Sequence, residues 1–411
     1  MSRTAATFES NTRISDYITL GAIARMFPAE RVEAALRATG KESQRQRDLP
    51  AHVVVYYVIA LALFNQVSSR EVLRCLLEGM RWLRGFDADP KVTGKSGISQ
   101  ARSRLGWEPL RQLYHDLVHP IATPQTKGAW FHQWRVVSID GSTLDLPDDP
   151  ANDAEFGRPS ASRGESGFPQ LRFVSLVESG THVLFAANMG AFKTSERALA
   201  EEVLPALHPG MLCLADRGFY GFEFWEKARA TGADLAWRVT SKLGLPREQQ
   251  LEDGSYLSHV FDIKDRWRRR STGVPVRVVE YTLDSSRDPS LAEHPEGEPT
   301  YRIITTILDP KAASAKELAA LYTERWEIEA AFDELKTHLR GRQMLLRSKT
   351  PDLVRQEFYG LQLAHFAVRG LMHEAALGAE VDPDRLSFVH AVRVVKRTLP
   401  RFAALSPHAN A

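Results

Sequence analysis

The sequence predicts an α/β protein in which a mixed sheet is flanked by helices and preceded by an all-helical N-terminal part. The first observation is that the first 125 residues contain apolar positions at helical spacing. The second is that, after about residue 130, apolar runs typical of strands alternate with segments typical of helices. Such alternation gives a sheet covered by helices, and a chain of 411 residues has room for two or three folded units.

The N-terminal domain, residues 1–125, is predicted to consist of helices. The apolar run at residues 52–64 is too short to span a bilayer and predicts a buried helix. A second helix is expected at residues 68–80, and a third follows Gly97 and continues to Leu117. Gln100 and Arg102 lie near the start of the third helix. Either they contact DNA, or the helix only packs within the protein and binds no nucleic acid.

Residues 126–242 are predicted to contain the first part of the sheet. The expected elements, in order, are strands at 136–139, 170–177 and 181–188, a helix at 195–207, a strand at 211–215, a helix at 222–230 and a strand at 235–239. Residues 243–300 interrupt this alternation of strands and helices. They are rich in Gly, Pro, Ser and charged residues and contain strand-like stretches, so they predict a strand-rich insertion. Residues 301–345 return to the sheet with a strand at 302–308 and a long helix at 315–339, and helices occupy 346–411.

Composition indicates an ordinary globular protein, since 43% of the residues are hydrophobic, 25% are charged and the net charge is +2. Cys75 and Cys213 lie far apart, so neither a disulfide framework nor a zinc module is predicted. The N-terminus lacks a signal pattern and no apolar run is long enough for a bilayer, so we expect a cytoplasmic protein without a membrane partner. A basic cluster at residues 264–270 surrounds Trp267 and suits a phosphate backbone, although many such clusters are only solvated.

Two aspartates follow apolar strands of the predicted sheet. Asp140 comes after residues 136–139 and directly before Gly141, and Asp216 comes after residues 212–215. A carboxylate at the end of a buried strand is held rigidly and is costly unless a cation or a hydrogen-bond donor satisfies it. Oxygen ligands of this kind are the ones that Mg²⁺ prefers. Each aspartate is therefore either a metal ligand or a turn or capping residue, and two on neighbouring strands favour the metal site.

A third candidate carboxylate lies in the long helix. The spacing of Tyr322, Arg325, Glu329 and Lys336 places the four side chains within a helical arc of roughly 60°. An adjoining apolar arc would pack on the sheet, and its members are Leu321, Ile328, Phe332, Leu335 and Leu339. The acid would bind metal and the cations would bind phosphate. A solvent-exposed helix face with ordinary ion pairs between neighbouring turns would show the same spacing. Asp333 lies on nearly the same face, so helical phase leaves Glu329 and Asp333 open as the third ligand.

The pattern Tyr-x2-Arg-x3-Glu-x6-Lys, formed by the same four residues, resembles the YREK signature of the insertion sequence four family of bacterial transposases, with no change in spacing. In that family the glutamate is the third member of a catalytic triad of two aspartates and one glutamate. The segments that look like the family's two aspartate motifs are Ser138-Ile139-Asp140-Gly141-Ser142 and Ala215-Asp216-Arg217-Gly218-Phe219-Tyr220. The helical N-terminal region is similar to the family's N-terminal domain, so the resemblance covers most of the chain.

The resemblance implies an RNase H-like catalytic core and cut-and-paste DNA transposition. Asp140, Asp216 and Glu329 would bind two Mg²⁺ or Mn²⁺ ions about 3.5–4 Å apart. One ion would activate water or a 3′-hydroxyl, and the other would stabilise the leaving oxygen. In related enzymes the cut 3′ end attacks the opposite strand to form a hairpin, which is reopened before the end joins target DNA.

The resemblance also implies how the protein meets DNA. Tyr322, Arg325 and Lys336 would contact phosphates of the transposon end, and a homodimer would hold two terminal inverted repeats in a synaptic complex before joining them to target DNA. From its composition alone, the setting of Trp267 suits stacking on a flipped base, with a plain structural tryptophan as the alternative.

Three functions are compatible with these residues: an active transposase, a metal-dependent nuclease on the same fold, and a catalytically silent DNA-binding relative. A simple nuclease does not need the extra cations on the helix face. A silent copy would be free to lose its carboxylates, and all three are present. The sequence therefore favours the active transposase.

Overall fold

The computed structural model describes residues 23–45, 49–64, 67–84, 94–161, 164–165, 167–262, 273–282, 300–339 and 345–397. Within these ranges the chain forms a helical N-terminal part, a central mixed sheet and a C-terminal group of helices. The N-terminal helices are α1 (Ala29–Ala38), α2 (Ala51–Leu63), α3 (Ser69–Arg84), α4 (Lys95–Leu105) and α5 (Glu108–Leu117).

The third predicted helix is two helices in the structure. α4 ends at Leu105 and α5 begins at Glu108, and Gly106 lies between them with φ at +71°. Glycine adopts this left-handed region without the steric penalty of other residues. The apolar spacing continues across the break because both helices pack on the same core, so the prediction of one continuous helix was wrong here.

The strands, with the helices that connect them, follow from residue 130. They are β1 (Trp130–Phe131), β2 (Trp134–Asp145), α6 (Pro150–Phe156), β3 (Ser160–Ala161), β4 (Gly164–Glu165), β5 (Gln170–Glu178), β6 (Val183–Ala191), α7 (Glu196–Glu201), β7 (Met211–Ala215), α8 (Phe222–Ala230), β8 (Asp234–Arg238), β9 (Gln249–Gln250), β10 (Tyr256–Val260), β11 (Val274–Tyr281) and β12 (Tyr301–Thr305). The helix predicted at 195–207 is shorter than expected, because α7 gives way to a 3₁₀ turn at Leu204–Ala206.

In the described residues the sheet has ten strands. Their order is β6-β5-β2-β7-β8-β12-β11-β10-β9, and β1 pairs with β2. β2, β7 and β8 run parallel, whereas the other neighbours are antiparallel. The order and directions of the five strands from β6 to β8 are those of an RNase H-like core, so the predicted fold class is confirmed.

The strands of the predicted insertion, residues 243–300, continue this sheet. β9, β10 and β11 lie in that range, and β11 pairs with β12, which in turn pairs with β8 of the core. The strand-rich character expected from the sequence is present in the described part of the range. The strands extend the core sheet instead of forming a sheet of their own.

Helices cover both faces of the sheet. After β12 the chain forms α9 (Ala315–Thr323), a 3₁₀ turn (Glu324–Trp326), α10 (Glu327–Asp333), a π-helical stretch (Glu334–Leu339), α11 (Pro351–Ala379) and α12 (Phe388–Arg397). Leu318 of α9 joins one apolar core with Val136 and Leu212, while Phe358 of α11 packs on Phe173 on the other side. Alternate residues of each strand therefore enter two separate cores.

The N-terminal helices pack on α11. A Cβ at Gly360 of α11 would stand 2.7 Å from Val58 of α2, so the two backbones approach closely. Arg102 of α4 donates from Nε to Gln356 on α11 at 2.8 Å. No helix in the described part of the chain combines the length and apolar character that crossing a membrane requires.

Candidate active site

Two neighbouring parallel strands bring the predicted aspartates together. β2 and β7 are paired with Ile139 opposite Ala215, and Asp140 and Asp216 are the next residues along the chain. Adjacent strands lie about 4.8 Å apart, and paired residues point to the same face. Asp140 lies inside β2 and not after it, because β2 extends to Asp145 while β7 ends at Ala215. The two carboxylates therefore begin side by side where the parallel pairing stops.

The Asp140 carboxylate is held by one backbone donor and one cation. Gly141 donates its backbone N–H to Oδ1 at 2.7 Å, and Arg325 donates from Nη1 to Oδ2 at 3.3 Å. Burial raises the pKa of Asp140 to about 6; Asp216 and Glu196 raise it too, and Gly141 and Arg325 oppose them. Gly141 and Arg325 thus do not fully offset the cost of burying the ionised Asp140 carboxylate, and a bound cation would supply further positive charge.

The long helical segment presents its polar face to the same strand ends. The Tyr322 hydroxyl donates to the Ala215 carbonyl at 3.0 Å, and Lys336 Nζ donates to Ser142 Oγ at 2.9 Å. The predicted apolar arc is buried against the core, as expected from the sequence, and its members are Leu321, Ile328, Phe332, Leu335 and Leu339. The segment changes from α to 3₁₀ to α to π geometry, yet the four signature residues still face the strand ends.

Glu329 lies at the opening of the site. Its side chain is half exposed, and its Oε1 lies 3.7 Å from Arg325 Nη2, so Arg325 stands between Glu329 and Asp140. Both carboxylates, together with Lys336 and Asp333, line a cleft of about 380 Å³. Asp333, the alternative third ligand, pairs instead with His338 at 3.0 Å. Because Glu329 shares a guanidinium with Asp140, the geometry favours Glu329.

The donor set suits a hard divalent cation. Asp140 in β2, Asp216 directly after β7 and Glu329 on α10 lie near this edge of the sheet, and oxygen is the donor that Mg²⁺ and Mn²⁺ select. The oxygens of Asp140, Asp216 and Glu329 do not all lie within 4.8 Å of one another in the described chain. Since Arg325 bridges two of them, a cation that binds all three must replace the guanidinium there.

Two residues near the site have no signal in the sequence. A Cβ on Gly141 would stand 2.7 Å from Cδ of Glu196, so the Glu196 carboxylate lies directly over the Asp140–Gly141 peptide. Trp326 is exposed beside the site, with the Arg325 guanidinium 5.1 Å from its ring centroid. Trp267, the predicted stacking residue, lies outside the described residues, as does the rest of the basic cluster at 264–270.

Comparison with known proteins gives two matching family models. The model described as "Transposase DDE domain" matches residues 132–367, which is more than half of the chain. The model described as "Insertion element 4 transposase N-terminal" matches residues 17–115. Together the two models cover most of the helical N-terminal part and the sheet from β2 to β12.

One curated relative and one solved structure are similar to the chain over most of its length. "Transposase InsG for insertion sequence element IS4" of Escherichia coli (strain K12) is 28% identical over 388 residues, which are 92% of this chain and 82% of that protein. A cryo-EM structure of a piggyBac transposase synaptic complex with hairpin DNA matches 96% of this chain and 82% of that chain, with 11% identity and a TM-score of 0.49.

Proposed function

The chain belongs to the family of transposases with a DDE domain, enzymes that cleave and transfer DNA strands, and on that premise we propose that Asp140, Asp216 and Glu329 are its catalytic carboxylates. The observation that carries the proposal is the pairing of Ile139 with Ala215, which sets the two aspartates side by side. Glu329 is the third member of the proposal because its Oε1 lies 3.7 Å from the guanidinium that also pairs with Asp140.

The three carboxylates would hold two Mg²⁺ or Mn²⁺ ions. Bound there, the ions would activate the attacking water or 3′-hydroxyl and neutralise the leaving oxygen in an in-line displacement at phosphorus. The protein fixes the ligands with rigid elements, since Asp140 is locked inside β2 and Asp216 accepts a backbone hydrogen bond from Gly218. Rigid placement of this kind removes the reorganisation that free carboxylates would need.

Arg325 and Lys336, the two cations of the YREK signature, would position the DNA backbone. Lys336 lies at the cleft wall, and the Arg325 guanidinium lies between two carboxylates that line the same cleft, so both cations stand where a phosphate would enter. The Tyr322 hydroxyl would reach a phosphate only by leaving the Ala215 carbonyl. Trp267 would stack on a displaced base, and the exposed Trp326 is a second aromatic beside the cleft.

The substrate would be double-stranded DNA carrying the terminal inverted repeats of an insertion sequence, followed by target DNA. We expect a homodimer in the synaptic complex, because two ends must be held together before joining. The protein would act in the bacterial cytoplasm, at the nucleoid where its DNA lies. Affinity should fall steeply with salt, since phosphate contacts release counterions.

The test is cleavage of a labelled duplex that carries the flanking terminal repeat in the presence of Mg²⁺. We expect a cleavage rate lower by about a thousandfold in each of the variants Asp140→Asn, Asp216→Asn and Glu329→Gln. This factor corresponds to a loss of about 4 kcal/mol of transition-state stabilisation. DNA binding should be retained. Asp333→Asn is the matched control on the same helix and should cleave at nearly the normal rate.

Other outcomes would point to other functions. Binding without cleavage by the unaltered protein would favour the catalytically silent relative. Cleavage without strand transfer would favour a metal-dependent nuclease. Loss of cleavage in Asp333→Asn together with normal cleavage in Glu329→Gln would make Asp333 the third ligand.

A further inference from the structure

A histidine and two carboxylates from distant parts of the chain meet at the start of α10, the helix that carries Glu329. His182 lies in the turn between β5 and β6, Glu327 begins α10, and Asp384 lies in the 3₁₀ turn Pro383–Arg385 after α11. His182 Nε2 lies 3.1 Å from Asp384 Oδ1 and 3.9 Å from Glu327 Oε2. One donor atom from each residue falls within 4.8 Å of the others.

The imidazole of His182 is buried and its Nε2 points into this cluster. Only 6% of the residue is exposed, and Nε2 makes no hydrogen bond within the described part of the chain. The other ring nitrogen, Nδ1, lies 3.2 Å from Oε1 of Glu334. When Nδ1 donates to a carboxylate, the lone pair of Nε2 is left for a cation, which is the arrangement found for most histidines that bind metals.

The spacing of the donor atoms suits a small ion. Ligand bonds of about 2.1 Å around a tetrahedral ion separate neighbouring donors by about 3.4 Å, close to the two distances from His182 Nε2. One imidazole nitrogen with two carboxylate oxygens is a donor set that Zn²⁺, Co²⁺ and Mn²⁺ accept. A mixed set of this kind differs from the all-oxygen set of the catalytic carboxylates.

The cluster carries more negative charge than its neighbours balance. Glu334 has its own cation, because Arg369 donates to it from Nε at 2.8 Å. Glu327 accepts the backbone N–H of Gly180, and Asp384 has the imidazole of His182 as its ion-pair partner. Two partly buried carboxylates thus face a single imidazole, and a divalent cation would balance them.

We propose that His182, Glu327 and Asp384 form a structural binding site for a divalent transition-metal ion, separate from the catalytic carboxylates. The ion would join the turn between β5 and β6 to the first residue of α10 and to the segment that follows α11. Glu327 precedes Glu329 by two residues and points to the opposite side of the helix. The site would therefore fix the rotation of the helix turn that presents Glu329 to the cleft.

The competing arrangement is a neutral histidine with its proton on Nε2 and no metal. Arg369 Nη2 also contacts His182 Nδ1, and if the guanidinium donates its hydrogen bond to Nδ1, the imidazole proton lies on Nε2 and faces Asp384. In that case His182 donates an ordinary hydrogen bond to Asp384. The two arrangements differ in one measurable property, which is saturable binding of a metal at this cluster.

The experiment uses the full chain with Asp140→Asn, Asp216→Asn and Glu329→Gln, which removes the ligands of the proposed catalytic centre. Co²⁺ is titrated while its visible absorption is recorded, and the melting temperature is measured with and without the ion. We expect one Co²⁺ per chain and a higher melting temperature, because an ion that binds only the folded state stabilises it. A chain with intact catalytic carboxylates serves as the reference and reports separately on the catalytic ligands.

Asp384→Asn in this background should weaken Co²⁺ binding by about tenfold or more. Asp382→Asn is the matched control, since it removes the same charge two residues away and can still accept the hydrogen bond from the Asp384 backbone. It should leave the affinity within about twofold of the background. His182→Gln, checked for folding by circular dichroism, should abolish the absorption bands. No saturable binding in the background, or equal losses in Asp382→Asn and Asp384→Asn, would overturn the proposal.

Discussion

The Nη1 nitrogen of Arg325 lies 3.3 Å from the Oδ2 oxygen of Asp140. The same guanidinium lies 3.7 Å from Glu329 through Nη2, so one cation serves carboxylates from β2 and from α10. A divalent ion shared by these carboxylates would need the same position. Arg325 is thus a counter-ion of both carboxylates in the DNA-free protein, and we propose that, once displaced toward the cleft, it donates to a DNA phosphate.

Replacing Arg325 should change metal binding and DNA binding in opposite directions. Arg325→Gln removes the competing cation, so Mn²⁺ should bind the DNA-free protein about two- to fivefold more tightly, the range expected from ion pairs of this kind. Affinity for the terminal repeat should fall, because a phosphate contact is lost. Mn²⁺ titration and DNA binding at fixed salt measure the two effects. Arg325→Lys keeps the charge and is the control; weaker Mn²⁺ binding in Arg325→Gln would show that the guanidinium helps to form the metal site.

Metal binding should weaken in mildly acidic solution. Burial raises the pKa of Asp140 from 3.8 to about 6. A raised carboxyl pKa means that Asp140 favours folding of the metal-free protein below about pH 4, and that this contribution is lost as the pH rises through 6. The cation needs the ionised form, so Mg²⁺ affinity should drop by about tenfold per pH unit below pH 6.

The measurement is the Mg²⁺ concentration that gives half-maximal cleavage between pH 5 and pH 8. Asp216→Asn removes a carboxylate that raises the pKa of Asp140, so the midpoint of metal binding, followed by Mn²⁺ titration in that variant, should move to lower pH. An Mg²⁺ requirement in the unaltered protein that stays the same from pH 8 down to pH 5 would contradict the raised pKa.

Tyr322→Phe separates a structural role of the hydroxyl from a role in DNA binding. The hydroxyl is buried and donates to the carbonyl of Ala215, the last residue of β7 before Asp216. Its removal should lower the free energy of unfolding by about 1 kcal/mol, since a buried hydrogen bond is lost. Affinity for DNA should stay within about twofold if the hydroxyl only fixes β7, whereas a larger loss of affinity at unchanged stability would show a direct phosphate contact. Chemical denaturation and DNA titration give the two values.

The sequence predicted those parts of the site that depend on short segments. The apolar residues before Asp140 and Asp216 predict strands by themselves, and the spacing from Tyr322 to Lys336 predicts one helix face. Parallel pairing of β2 with β7 then brings the aspartates together without any further signal. The fold class follows for the same reason, because alternating strands and helices are local patterns.

The remaining features depend on contacts between distant segments. Nothing near Glu196 in the sequence indicates that its carboxylate lies over Gly141, because that contact arises only when α7 packs beside β2. His182 and Asp384 are about 200 positions apart in the chain and belong to no motif. The extension of β2 beyond Asp140 was missed because Gly141 and the polar residues after it lack the apolar pattern, while pairing with β5 continues there.

Two glycines of α11 should respond in opposite ways to the same substitution. A Cβ at Gly360 would stand 2.7 Å from the Val58 side chain and 3.0 Å from its carbonyl oxygen, so Gly360→Ala forces α11 away from α2. Overpacking of this kind costs about 1–3 kcal/mol. Gly378 lies in the same helix with no atom within 4 Å of an added Cβ, so Gly378→Ala should stabilise the helix by up to about 1 kcal/mol.

Melting temperatures of the two variants test the contact: a fall for Gly360→Ala with no fall for Gly378→Ala is expected. Equal responses would mean that the N-terminal helices do not rest on α11 as closely as this interface requires.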